Sequence, residues 1–198
     1  MTIRLAISGF GRIGRMVLRA TQEMQSDDME VVLINSPGPV ETSAHLYEFD
    51  SVHGRAAGEV TFGDDWMNIG NGKIHMSRER DPGNIPHAAQ RVDIVLECSG
   101  KFNSRDASAA HLRAGAKKVL VSAPCKNADK TIVFGVNHNN LTEDDNVVSN
   151  ASCTTNCLAP IAKVLAESVG IESGYMTTIH AYTGDQPTLD SSHKDLRR

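Results

Sequence analysis

Residues 3–14 read Ile3-Arg4-Leu5-Ala6-Ile7-Ser8-Gly9-Phe10-Gly11-Arg12-Ile13-Gly14, and the fold is decided there. Ile3–Ile7 is an apolar run of strand length that gives way to three glycines spaced Gly9-x-Gly11-x-x-Gly14. Residues 11–25 predict a helix, with Ile13, Met16, Val17, Ala20 and Met24 spaced to form one face. Val31-Val32-Leu33-Ile34 predicts the next strand, ending in the loop Asn35-Ser36-Pro37-Gly38-Pro39. Strand, glycine turn, helix and strand make one right-handed βαβ unit. By itself the glycine spacing is a weak signal, since glycines also cluster in ordinary turns. Placed between a strand and a helix, it predicts close approach of a pyrophosphate to a helix N-terminus.

The alternation continues outward from this unit. Residues 40–49 predict a short helix, and Trp66 to Met76 a hairpin turning at Asn71-Gly72. Ile94-Val95-Leu96 predicts a buried strand, and Ser104–Ala114 a helix capped by its serine. Val119-Leu120-Val121, Thr131–Gly135 and Val147-Val148-Ser149 extend the sheet. The pattern predicts an α/β fold: a Rossmann-type, doubly wound dinucleotide-binding domain over residues 1–150, then the start of an α+β catalytic domain over 151–198. In that second part Ser173–Tyr182 reads as one long strand, and Thr183–Arg198 as a polar tail. One helix and one strand cannot close a core. The expectation is therefore that partner chains cover the strand or that the chain is a truncated piece of something longer.

Composition narrows the function classes. The chain has 198 residues, 40% hydrophobic and 22% charged, with a formal charge of −4. No basic stripe points to nucleic acid, and the longest apolar runs are strand-sized, so no membrane span is expected. The first strand begins almost at Met1, which leaves no room for a secretory signal and predicts a cytoplasmic protein. Cys98, Cys125, Cys153 and Cys157 are then expected to be thiols. Cys153 and Cys157 stand one helical turn apart with no second pair, so no metal site is expected.

The chemistry sits in Ser152-Cys153-Thr154-Thr155-Asn156-Cys157 and in Thr177-Thr178-Ile179-His180-Ala181-Tyr182. A cysteine opening a helix is favoured as thiolate by the helix dipole, and a histidine on a later β-run is a candidate proton acceptor. Cys153 has polar neighbours unsuited to a core. Cys157 and Leu158 begin the apolar face, which makes Cys157 the structural thiol, and Pro160 is expected to kink the helix. Alternation puts Met176, Thr178, His180 and Tyr182 on one strand face, which does not by itself locate Cys153. At the end of the second strand stands Ser36, where a carboxylate would bond a ribose hydroxyl and repel a 2′-phosphate. Ser36 is either part of a site tolerant of that phosphate or simply a loop residue.

These stretches closely resemble the phosphorylating glyceraldehyde-3-phosphate dehydrogenase family. The matching segments are Gly9–Arg15, Phe49–Gly54, Ser149–Pro160, His180–Gln186 and His193–Arg198, so the similarity runs across essentially the whole chain. The resemblance implies that Cys153 attacks the aldehyde of glyceraldehyde 3-phosphate to give a thiohemiacetal. It implies His180 as the base during hydride transfer to NAD or NADP, and inorganic phosphate as the group that displaces the thioester. It further implies Arg12 and Ile13 at the pyrophosphate turn, Arg80 near the adenosine, and Ser99, Gly100 and Ser122 on the nicotinamide side. Thr183 matches a substrate-phosphate contact, with Ser152 and Thr154 flanking the site. The family usually forms homotetramers.

The departures from the family pattern bear on the cofactor and on activity. Ser8 replaces the usual Asn before Gly-Phe-Gly, and Ser36 replaces the usual ribose-binding Asp. Ser191-Ser192 stands where strictly NAD-using members commonly carry an apolar residue and a proline. Both NAD and NADP are therefore implied. The family continues beyond the position of Arg198, so this 198-residue form is expected to be inactive alone. Erythrose-4-phosphate dehydrogenase shares the Cys and His and is the nearest enzymatic rival, although Ala181–Asp185 favours the triose enzyme. A non-catalytic module that binds a nucleotide or a partner is the alternative of a different class.

Overall fold

The computed structural model describes residues 2–24 and 26–183. The chain divides into two compact units, one running to Ile161 and one beginning at Ala162. In the first, β1 (Ile3–Ser8) turns through the glycines into α1 (Arg12–Met24) and returns as β2 (Met29–Asn35). Next come α2 (Val40–Glu48), the short pair β3 (Phe49–Asp50) and β4 (Gly54–Arg55), then β5 (Thr61–Phe62), β6 (Trp66–Asn68) and β7 (Lys73–Ser77). β8 (Ile94–Glu97), α3 (Arg105–Arg113), β9 (Lys118–Val121), β10 (Lys130–Thr131) and β11 (Val147–Ser149) lead to α4 (Cys153–Ser168).

The sheet order is β10-β11-β9-β8-β1-β2-β7-β6-β5. Every pair from β10 to β7 is parallel, and the Trp66–Met76 hairpin adds β6 antiparallel to β7. With β1, β2, β7, β8, β9 and β11 counted as first to sixth, the order is 3-2-1-4-5-6, the doubly wound arrangement. Both faces of such a sheet are covered, so its strands are apolar at consecutive positions rather than alternate ones. Ile7, Ile34 and Met76 pack on one face with Leu18, Ala44 and Tyr47. Ala6, Leu33, Val95 and Val119 pack on the other with Ile85 and Val147. Each of these large apolar side chains, when fully buried, contributes about 1.5–3 kcal/mol.

The expected face of α1 is not the packed one. Its buried residues are Gly14, Leu18 and Arg19, whereas Ile13 and Met24 are 48% and 64% exposed. Of the five expected residues only Val17 packs against the core. The closest approach sets the rotation of the helix: a Cβ on Gly14 would stand 2.1 Å from the Gly9 carbonyl oxygen. With Gly14 turned to the strand, Leu18 follows one turn later on the same side. Arg19 is buried because its guanidinium donates to the carbonyls of Tyr47 at 2.7 Å and Gly54 at 2.9 Å.

The strand expected over Thr131–Gly135 is cut to Lys130–Thr131. Asn137 ends it, accepting from the Val133 N–H at 2.8 Å and donating to the Thr131 carbonyl at 3.0 Å. A short polar side chain thus captures backbone groups that a longer ladder needs.

α4 runs on past Pro160 to Ser168, and in the second unit the expected strand Ser173–Tyr182 does not form. A strand needs a neighbour to take its backbone N–H and C=O groups. No strand among the described residues pairs with this segment, which is exposed throughout. Cys157, expected as a structural thiol, is exposed as well, because no described residue buries the apolar face of α4.

Candidate active site

The parallel order reverses at β1, whose chain leaves towards β2 on one side while β8 lies on the other. In open α/β sheets a ligand crevice forms at such a point, beyond the carboxyl ends of the strands. A cleft of about 520 Å³ opens there, and Gly9, Gly11, Ser36, Arg80 and Ser99 all line it. The turn beneath is tight. Gly9 has φ +91°, and a Cβ on it would lie 2.5 Å from both Cα and N of Ser99. A Cβ on Gly11 would meet nothing within 4 Å. Two glycines therefore let backbone pack on backbone, while the third leaves open space at the start of α1. That is the cradle a pyrophosphate needs, so the residues present fit a dinucleotide.

Hydrogen bonds across strand ends fix the cleft wall. The Gly9 N–H donates to the Asn35 carbonyl at 2.9 Å, and the Cys98 N–H to the Ser8 carbonyl at 2.7 Å. Asn35 Oδ1 accepts from the Ser77 hydroxyl and from the Glu79 N–H, each at 2.9 Å. Ser36 is half-buried and its N–H donates to the Ser77 carbonyl at 2.9 Å. Arg80 and Lys101 bring two exposed cations to the cleft, against the carboxylate of Glu79. Burial pushes the Cys98 thiol up to about 11, an effect only partly offset by a hydrogen bond with Ser122.

The other predicted cofactor residues lie around this cleft rather than in its lining. Arg12 pairs with Asp50 at 2.6 Å. The N–H groups of His53 and Val52, with Arg12, hold the Asp50 carboxyl down at about 2. Ile13 is exposed on α1 and Gly14 is buried beneath the Gly9 carbonyl. Gly100, at φ +72°, turns the chain after Ser99, and the Ser122 N–H donates to the Glu97 carbonyl at 3.0 Å. Asn35, Glu79, Lys101 and Phe102 line the cleft but were not singled out from sequence. Their one sequence signal is that each follows closely on, or ends, a strand of the parallel set.

Cys153 stands at the first position of α4, directly after the carboxyl end of β11. Ser152 caps the helix, its hydroxyl accepting from the Thr155 N–H at 3.0 Å. Ala151 has φ +59°, a left-handed conformation that costs an L-residue roughly 1–2 kcal/mol. The turn is held by the Ala151 N–H donating to Ser149 Oγ at 3.1 Å, and by Asn156 Nδ2 donating to the Asn150 carbonyl at 2.7 Å. The result is an elbow that lifts an exposed thiol off the sheet at the helix N-terminus. Thr154 is half-buried beside it. A second cleft of about 480 Å³ is lined by Cys125, Lys126, Ser149, Ser152 and Thr155.

His180 and Thr183 belong to the second unit, both exposed in the segment without regular structure. His180 Nδ1 lies within hydrogen-bond distance of the Ala181 carbonyl. Ser191 and Ser192, like the match at His193–Arg198, lie outside the described residues. Among the described residues no helix is long and apolar enough to cross a membrane, and no group of three His, Cys, Asp or Glu side chains is placed to hold a metal ion.

The sheet order and the glycine cradle define a dinucleotide-binding domain of the doubly wound class. Residues 3–105 match the family model described as glyceraldehyde 3-phosphate dehydrogenase, NAD binding domain, and residues 152–198 match the C-terminal domain of the same family. Over all of its 198 residues the chain is 63% identical to a glyceraldehyde-3-phosphate dehydrogenase of Xanthobacter flavus and 62% identical to that of Cereibacter sphaeroides. It is 51% identical to glyceraldehyde-3-phosphate dehydrogenase 2 of Bacillus subtilis. The chain belongs to the glyceraldehyde 3-phosphate dehydrogenase family. It spans 59% of the length of the first two of these relatives and 58% of the third.

Proposed function

We propose that the protein, in its full length, oxidises glyceraldehyde 3-phosphate and phosphorylates the acyl group formed, with NAD or NADP as oxidant. The observation that carries this reading is the position of Cys153. It follows the carboxyl end of β11, the sheet edge at which the glycine cradle follows β1. Thiol chemistry and hydride acceptor are thus served from one edge of one parallel sheet. The names of the relatives support the same substrate.

In this reading Cys153 Sγ, favoured as thiolate by the N-terminus of α4, adds to the aldehyde carbon. The oxyanion formed by the addition takes hydrogen bonds from the Cys153 backbone N–H and from protonated His180, which passes it the proton that makes the thiohemiacetal hydroxyl. His180 accepts the hydroxyl proton as the C–H hydrogen departs with its electron pair, and a thioester on Cys153 remains. When bound, the oxidised nicotinamide ring is the acceptor of that hydride. Inorganic phosphate then attacks the acyl carbon and Sγ leaves, giving an acyl phosphate. Thr183 contacts the substrate phosphate, and Ser152 and Thr154 flank the bound substrate. Gly9, Gly11, Arg12, Ile13 and Gly14 surround the pyrophosphate, Ser36 and Arg80 the adenosine, and Ser99, Gly100 and Ser122 the nicotinamide side.

The same proposal takes residues 1–150 as the dinucleotide-binding domain and 151–198 as part of the catalytic domain, within a cytoplasmic homotetramer. The family pattern supports the tetramer, and four cysteines standing as thiols support the compartment. The test is turnover of glyceraldehyde 3-phosphate by the full-length protein with each cofactor, with and without inorganic phosphate. Turnover is expected to require phosphate and to vanish in Cys153→Ala while dinucleotide binding persists. Activity that survives Cys153→Ala would overturn the reading.

A further inference from the structure

A line of buried polar side chains runs from the core to the floor of the dinucleotide cleft. The Ser99 N–H donates to Glu97 Oε1 at 2.7 Å, and the Ser99 hydroxyl donates to the same oxygen. Glu97 Oε2 lies 3.0 Å from His111 Nε2, and His111 Nδ1 lies 2.9 Å from His87 Nε2. Glu97 is 1% exposed and both histidines 0%. At the far end His87 Nδ1 is buried and has no hydrogen-bond partner among the described residues. At the near end Ser99 lines the cleft, and its backbone is the surface on which Gly9 packs.

The line has a direction. A backbone N–H only donates and a carboxylate only accepts, so Glu97 accepts from Ser99 on one side and from His111 Nε2–H on the other. His111 Nδ1 must then accept from His87 Nε2–H, and His87 Nδ1 carries a lone pair rather than a proton. Reversing the line would leave a buried N–H pointing at nothing, the costlier orphan. Burial and the neighbouring His111 push the His87 imidazole down to about 4, in keeping with a neutral ring.

We propose that Glu97, His111 and His87 are positioning residues for the dinucleotide: Glu97 sets the tautomer of His111 and through it that of His87, and His111, steadied by the His87 donor, orients the carboxylate that holds Ser99 at the cleft. This rests on the reading of the cleft as a dinucleotide site. The geometry supports it because Ser99 lies on the turn before Gly100, and Glu97 is the acceptor for both its N–H and its hydroxyl.

The test is Glu97→Gln in the full-length protein. The glutamine oxygen still accepts from Ser99, but its amide now donates to His111 Nε2. Both imidazoles must switch to the Nδ1–H form, leaving an orphan N–H on His87. Long-range ¹⁵N–¹H spectra are expected to show Nε2–H for both rings in the wild type and Nδ1–H for both in the variant. NAD binding, read by titration, is expected to weaken by about tenfold. A urea midpoint establishes that the variant is folded. If Glu97→Gln does not fold, His87→Phe replaces it: His111 should keep its Nε2–H towards Glu97 but lose the donor to Nδ1, seen as a shift of the Nδ1 resonance, and NAD binding should fall by about threefold. Unchanged NAD affinity in either folded variant, or rings that stay Nε2–H in Glu97→Gln, would overturn the proposal alone. A wild type that binds neither NAD nor NADP would overturn the dinucleotide reading and the proposal with it.

Discussion

Replacing Gly9, Gly11 and Gly14 with alanine one at a time separates what holds the turn from what the turn holds. At Gly9 the backbone is at φ +91°, and the new Cβ would stand 2.5 Å from Cα and N of Ser99 and 2.9 Å from the Cys98 carbonyl carbon. The left-handed conformation costs roughly 1–2 kcal/mol, and overpacking against backbone about 1–3 kcal/mol more. Gly9→Ala is therefore expected to lose about 2–5 kcal/mol of stability. At Gly14 the conformation is helical and only the contact counts, 2.1 Å from the Gly9 carbonyl oxygen. About 1–3 kcal/mol is lost there, less the ~1 kcal/mol by which alanine surpasses glycine inside a helix. Gly11→Ala meets no atom within 4 Å. Its gain from a stiffer unfolded chain is offset by the poorer helix cap, so stability should move by no more than about 0.5 kcal/mol. Yet this Cβ stands at the opening of the cleft, and NAD binding should fall by about tenfold or more, roughly 1.4 kcal/mol. Urea titration and calorimetric NAD titration of the full-length variants read the two effects separately. Wild-type NAD affinity in Gly11→Ala would remove the pyrophosphate from this turn. Wild-type stability in Gly9→Ala would refute the steric argument for the cradle.

Ser36→Asp restores a carboxylate at the end of β2 and should weaken NADP binding by about 1–3 kcal/mol while sparing NAD; an unchanged ratio of the two affinities would make Ser36 a loop serine. Iodoacetamide read by peptide mass should label Cys153 first and Cys98 last, since Cys153 is exposed at a helix N-terminus and burial raises the thiols of Cys98 and Cys125. Faster labelling of Cys98, Cys125 or Cys157 in folded protein would contradict this. Acidification should destabilise the protein as pH falls from 6.5 towards 4, because unfolded His87 takes a proton at its ordinary value while the buried ring resists until about 4. That contribution is whole above pH 6.5 and amounts to about 3 kcal/mol, and His87→Phe should flatten that part of the urea-midpoint profile.

The fold was legible where a local pattern and a steric rule agree. Strand, glycine turn, helix and strand fix a right-handed crossover, and that handedness leaves few ways to lay the later strands. Periodicity did worse on α1, because the rotation of a helix is set by its tightest contact. Gly14 makes that contact and has no hydrophobicity to register. The same limit governs Ser173–Tyr182. Alternation marks a segment able to be a strand, but a strand exists only beside another, and the partner is not written in the segment itself.

The candidate site divides along the same line. Cys153 stood out because its surroundings are local: polar neighbours, a capping serine, a strand before and a helix after. The elbow itself left no trace, since the residue forced to φ +59° is Ala151, and an alanine announces no turn. What permits it is long-range, through Ser149 Oγ, which donates to the Ala123 carbonyl while accepting from Ala151. The His87, His111 and Glu97 line is more hidden still. Each member is ordinary in sequence, and 24 and 14 residues separate the successive pairs. Only the packing of α3 against the sheet brings them into line. A residue whose chemistry depends on its immediate neighbours can be found from sequence, whereas one whose chemistry depends on a proton's direction along a buried chain needs the fold to be drawn first.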